Sequence, residues 1–201
     1  MATISGYLRP VVTNTFSIEG YFRAHAALAE RLEKAAFERG VDLVRQAFES
    51  GRQIMTCGNG GSAYAASHYI TDWNKMVNLA TGRKFRGLSL CDNLGMVTAF
   101  ANDIAYEEIF AGQLKAILEP GDLVIAISAS GNSPNVVRAV EYANSVGATT
   151  LAIVGYDGGQ LKQAAQHAVW VPSFDMQLCE DIQLMFGHMV MKTLCGTPIA
   201  D

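Results

Sequence analysis

Charge is scarce in this chain. Of its 201 residues 17% are Asp, Glu, Lys or Arg, against 50% hydrophobic. Fifteen basic and nineteen acidic residues give a net charge of −4. That excludes a global basic field recruiting nucleic acid, and no long run of Lys and Arg supplies a local one. With ample apolar content and only five prolines, the composition also excludes a disordered chain. No uninterrupted apolar stretch approaches the roughly 18 residues of a membrane-spanning helix. The segment MATISGYLRPVVTNTF has no basic region leading into a long apolar core, so no secretory signal is expected. Cysteine is sparse: Cys57, Cys91, Cys179 and Cys195 lie far apart without a C-x-x-C pair, which reads as reduced thiols. These absences lead to the expectation of one cytoplasmic globular domain over residues 1–201.

What is present is a change of period along the chain. Residues 16–50 carry apolar positions at helical spacing, among them Ile18, Tyr21, Leu28, Leu32 and Ala36. Gly40 interrupts them, which predicts two helices forming an N-terminal extension over 1–50. From residue 51 short apolar runs alternate with amphipathic stretches. The runs are 53–57, 87–91, 123–128, 149–155 and 168–171; helices are expected near 62–79, 104–118, 134–146, 159–165 and 178–195. Near-continuous apolar strands alternating with helices predict an α/β fold: a doubly wound, five-stranded parallel sheet flanked by helices, flavodoxin-like. In such a sheet ligands bind beyond the carboxyl ends of the strands.

Two of those ends carry unusual loops. The first strand runs into Cys57-Gly58-Asn59-Gly60-Gly61-Ser62 and then directly into a helix. Three glycines in four positions permit positive φ and close approach of a ligand to the backbone, beside free helix N-terminal N–H groups. A dinucleotide fingerprint fits poorly, since the acidic residue expected about 20 positions on is missing, and the Walker A lysine is absent. The third strand ends in Ser128-Ala129-Ser130-Gly131-Asn132-Ser133, with Pro134 suited to the first helical position and Ser133 to the N-cap. Three serines exceed what a cap requires, and their hydroxyls suit a phosphate. A ligand with one phosphate and a polyol body fits this pair of loops better than a dinucleotide.

These motifs resemble the sugar isomerase (SIS) domain family, and within it the phosphoheptose isomerases. The likeness rests on CGNGGSA at 57–63, His68, Asp92, Asn102-Asp103 and SASGNSPNV at 128–136, with DGG at 157–159 and VPS at 171–173. It implies an aldose–ketose isomerase acting on sedoheptulose 7-phosphate. It also implies homotetramers with active sites between subunits. The family's metal ligands, a His-x3-Glu pair with a later Gln and His, fall on His68, Asp72, Glu180 and His188. Asp72 is therefore one methylene short and Glu180 adds a charge; Ala65 stands where relatives often carry Asp.

Imidazoles and carboxylates suit Zn2+, and an oxygen-rich set accepts other divalent ions. His68 and Asp72 share a helix face. Glu180 and His188, however, would stand about 12 Å apart on one continuous helix. Either that helix starts after Glu180, or the ligands come from different chains; Asp181 is a rival because it shares the His188 face. An ene-diol route needs a group moving protons between carbons and an electrophile at the oxygens. Asp72 and His188 are expected to move protons, with metal on His68, Asp72, Glu180 and His188. Substrate contacts are expected from Asn59, Gly60, Gly61, Ser62, Asp92, Asn93, Ser128, Ser130, Ser133 and Glu180. His188 in the apolar run MFGHMVM is equally readable, by itself, as a packed histidine. Two alternatives to the isomerase are a non-catalytic SIS protein that binds a replication initiator, and an isomerase or sensor of another sugar phosphate. The partners expected are a small sugar phosphate and further copies of the chain, with no nucleic acid and no membrane.

Overall fold

A computed structural model of the chain describes residues 16–199. The chain divides after Arg31 into two units. The first contains helix α1 (Ile18–Arg31), whose start is fixed by the Ser17 hydroxyl accepting the Gly20 N–H and whose exposed face carries an Arg23–Glu19 ion pair. The second unit holds everything from Leu32 onward.

Helix α2 (Lys34–Glu49), the second of the two expected N-terminal helices, lies in this second unit with the sheet. The expected break at Gly40 falls instead at Leu32–Glu33. Gly40 lies inside α2 because a Cβ there would meet the Phe186 ring at 2.9 Å and Val169 at 3.2 Å. A residue that looks like a helix breaker is here a packing notch.

Five strands follow: β1 (Ile54–Gly58), β2 (Gly87–Ser89), β3 (Leu123–Ser128), β4 (Thr149–Val154) and β5 (His167–Trp170). All pair in parallel, in the order β2-β1-β3-β4-β5, the doubly wound order expected. Alternate residues Met55, Cys57, Val124, Ala126, Ala152 and Val154 fill one core layer. They pack with side chains of α6 (Ala111–Ile117), α7 (Pro134–Ser145) and α8 (Gly159–Ala164). On the other face lie α2, α3 (Gly61–Asp72) and α9 (Met176–Cys195), joined to the sheet by the Thr56 hydroxyl donating to the Ala66 carbonyl at 2.9 Å.

α3 continues through a single π turn, Trp73–Val77, into the short α4 (Asn78–Thr81). One helix escaped the pattern: α5 (Leu94–Asp103) has no fully buried residue and meets the core only through Val97, Phe100 and Ala101, which are partly buried. The expected helix from 104 begins only at Ala111, after a 3-10 turn at Tyr106–Glu108. All four cysteines are free thiols. No helix among the described residues is long and apolar enough to cross a membrane.

Candidate active site

In this strand order β1 and β3 are neighbours whose following helices leave in opposite directions, opening a crevice at their carboxyl ends. The glycine loop follows β1 and the serine loop follows β3, so both flank that crevice. Gly60 adopts φ +53°, where a side chain would be strained. Gly131, at φ +66°, is pressed so closely on the Gly158 carbonyl that a Cβ would sit 2.0 Å from its oxygen. The serine loop is thereby backed by the DGG turn, with the Leu161 N–H donating to the Gly131 carbonyl and the Gln160 N–H to Asn132 Oδ1.

Within the serine loop, Ser128 Oγ accepts the Gly131 N–H at 3.1 Å and Ser130 Oγ accepts the Asn132 N–H at 3.2 Å. Each hydroxyl keeps its own proton to donate. Ser133 caps α7 by position but its side chain makes no cap bond, so its hydroxyl remains available, while the Val136 N–H is held by the Ser133 carbonyl and Asn135 Oδ1. That is the chemistry of an oxyanion cradle without a fixed cation.

Other expected contacts are engaged elsewhere within the chain. The Ser62 hydroxyl is buried and donates to Gln183 Oε1 at 3.0 Å. Asn93 caps α5, accepting the Met96 N–H at 3.1 Å. Asp92 accepts a hydrogen bond from Ser67 of α3. Gly61 makes room for a protein carboxylate: a Cβ there would meet the Glu180 oxygens at 2.4 to 2.5 Å. Burial, and after it the neighbouring Asp181 charge, hold the Glu180 pKa above the ordinary carboxylate value.

Further along α3, the side chains of His68 and Asp72 meet His188 of α9. His68 Nε2 lies 3.0 Å from His188 Nε2 and 3.3 Å from Asp72 Oδ2, and His188 Nε2 lies 4.0 Å from that same oxygen. The helices are held at this spacing by Gly187, where a Cβ would penetrate the Tyr69 ring at 2.2 Å. Two buried donors clamp the contact: the Tyr69 hydroxyl to the Gln183 carbonyl, and Trp73 Nε1 to the Gly187 carbonyl at 2.9 Å. His188 thus leaves an apolar helix through its partly open face, and is not a core histidine.

The three donor atoms fit a divalent ion. All lie within 4.8 Å of one another, close enough to share one ion, and imidazole and carboxylate are the donors such an ion takes. The imidazoles are 42% and 44% exposed, which leaves a side open for a further ligand. Glu180 is not part of this group within one chain. α9 is continuous from Met176, so the alternative of a helix starting after Glu180 fails.

Sequence reasoning missed the residues that hold these groups: Asn135, Tyr106, Ser67, Gln183 and Tyr69. Asn135 adjoins the quoted serine motif, but nothing in its spacing signals a partner in the glycine loop.

The SIS domain family matches residues 20–155. The chain belongs to that family, and within it stands with the phosphoheptose isomerases. The phosphoheptose isomerase of Helicobacter pylori strain P12 is 36% identical over 176 residues, 86% of this chain and 91% of that protein. That of Akkermansia muciniphila is 33% identical over 189 residues, 94% of this chain and 95% of that protein. The solved phosphoheptose isomerase from Neisseria gonorrhoeae superposes with a TM-score of 0.81 at 24% identity, covering 88% of this chain and 96% of that one; it attests the fold.

Proposed function

We propose that the chain is an aldose–ketose isomerase that interconverts sedoheptulose 7-phosphate and an aldoheptose 7-phosphate through an ene-diol. The observation that carries this reading is the meeting of His68, Asp72 and His188 on the helix that leaves the glycine loop. Relatives named phosphoheptose isomerase, matched over most of both chains, support the substrate.

Ser128, Ser130 and Ser133 bind the phosphate through their hydroxyls, which fixes the reacting carbons without a permanent countercharge. Asp72 turns Oδ2 toward the imidazoles; its other oxygen takes the proton from one carbon and returns it to the next. His188 moves the second proton between the two substrate oxygens through Nδ1, the ring nitrogen that coordination at Nε2 leaves free. His68, Asp72 and His188 would hold a divalent ion, Zn2+ first among candidates. When bound, such an ion supplies Lewis-acid polarisation of the substrate oxygens. Glu180 reaches this group only from another copy of the chain.

A homotetramer with active sites between subunits suits the surface. Leu184, Met185 and Met189 are each more than a third exposed on α9. A cytoplasmic setting suits four free thiols. The test is isomerisation of sedoheptulose 7-phosphate by purified protein, with and without chelator, alongside sedimentation. No turnover of any heptose, hexose or pentose phosphate overturns the enzymatic reading. Full activity after metal removal overturns the metal role.

A further inference from the structure

Asn59 of the glycine loop and Asn135 at the start of α7 exchange two amide hydrogen bonds across the crevice, Nδ2 to Oδ1 in both directions and each 2.9 Å long. The polarity of this pair is fixed from outside it. The Val136 backbone N–H, which can only donate, reaches Asn135 Oδ1 at 3.0 Å. That identifies the Asn135 oxygen, so its amide nitrogen faces Asn59 Oδ1. A second donor, the Tyr106 hydroxyl from the 3-10 turn, reaches the same Asn59 oxygen at 3.0 Å. Both lone pairs of Asn59 Oδ1 are then occupied, and one Nδ2 proton is given to Asn135. What remains to Asn59 is its second Nδ2 proton. Asn135 is 1% exposed, whereas Asn59 is only part-buried and lines a cavity with Gly58, Gly60 and Tyr106.

We propose that Asn135 and Tyr106 are positioning residues that make Asn59 a donor-only group in the crevice between the two loops. Asn59 then selects a substrate oxygen that accepts, and its bond strengthens as that oxygen gains negative charge on the way to the ene-diol. This deepens the proposed function and rests on it. An amide whose polarity is set by a backbone N–H cannot flip to present its oxygen, so the device discriminates accepting from donating atoms.

Three substitutions read the device. Asn59→Asp keeps the oxygen that Tyr106 and Asn135 address but removes the donor; kcat falls by about 100-fold or more. Tyr106→Phe and Asn135→Asp each remove one bond to Asn59 Oδ1. Each lowers kcat by about tenfold, with KM within roughly threefold of wild type. On an Asn59→Ala background neither has a further effect, because the residue they act through is gone. If Asn135→Asp does not fold, the Tyr106→Phe cycle decides alone.

Asn59→Asp within about threefold of wild type, or equal losses from Tyr106→Phe on both backgrounds, overturns the inference while leaving the isomerase standing. If wild type binds sedoheptulose 7-phosphate without turning it over, the isomerase reading fails. The same cycles, read as dissociation constants by calorimetry, still judge the inference. A wild type that neither turns over nor binds it overturns both.

Discussion

His68 and His188 face each other nitrogen to nitrogen, 3.0 Å apart, although 120 positions separate them in the chain. Two imidazole nitrogens at that distance can share one proton or both point lone pairs at a cation. Asp72, beside both, favours the cation. His68→Ala and His188→Ala are each expected to abolish bound divalent metal, measured by atomic emission. Each lowers kcat/KM by about 10² to 10⁴. Because both rings are substantially exposed, the variants stay within about 1 kcal/mol of metal-free wild type in denaturant unfolding. Unchanged metal content in either variant contradicts the site.

Gly187 sets the distance at which that pair can form. Gly187→Ala pushes a methyl into the Tyr69 ring, which is fully buried and stacked on Trp73 with centroids 5.0 Å apart. Neither ring can yield without losing its hydrogen bond to an α9 carbonyl. A loss of about 1–3 kcal/mol in stability is expected. Activity falls with it, since α9 must move away from α3 and carries His188. The check is thermal unfolding beside the isomerase assay; a variant as stable and active as wild type shows that the contact does not set the site.

The sheet and its order were legible because five nearly unbroken apolar runs and the helices between them admit few topologies. The two loops were legible because glycines and serines crowd beyond what turns and caps require. Other features were hidden for physical reasons. α5 is a short helix with no fully buried residue, and Gly40 and Gly187 owe their identity to rings distant in sequence. The partner of Asn59 is 76 residues away. Chemistry at one position is visible in a sequence, but the commitment of a polar group to a remote partner, such as that of Ser62 to Gln183, is not.

Ser62 and Ser133 should therefore behave differently. Ser62→Ala removes the bonded partner of Gln183, whose side chain is fully buried and already has an unpartnered Nε2. That costs about 1–3 kcal/mol of stability. Ser133→Ala removes a half-buried hydroxyl without a cap bond and leaves stability nearly unchanged, but it raises KM for the phosphorylated substrate several-fold. Calorimetric unfolding and steady-state kinetics on both variants separate the roles. The opposite pattern assigns Ser62 to the phosphate.

Glu180 offers the clearest dependence on pH. Its folded-state pKa is raised, by burial first and by Asp181 second, so the folded protein holds this proton more tightly than the unfolded chain. The sign follows directly. The contribution of Glu180 to stability is lost as pH rises from the ordinary carboxylate value through the raised one, and stays lost above it. Glu180→Gln removes the ionisation and keeps the shape that fits over Gly61. In metal-free protein the variant is expected to match wild type at the acid end of that window. It becomes progressively more stable than wild type across the window, and the gap is constant at higher pH. Unfolding midpoints of both proteins measured from acid to neutral pH test this. A gap that is flat across the series removes burial as the cause, and one that closes as pH rises reverses the sign.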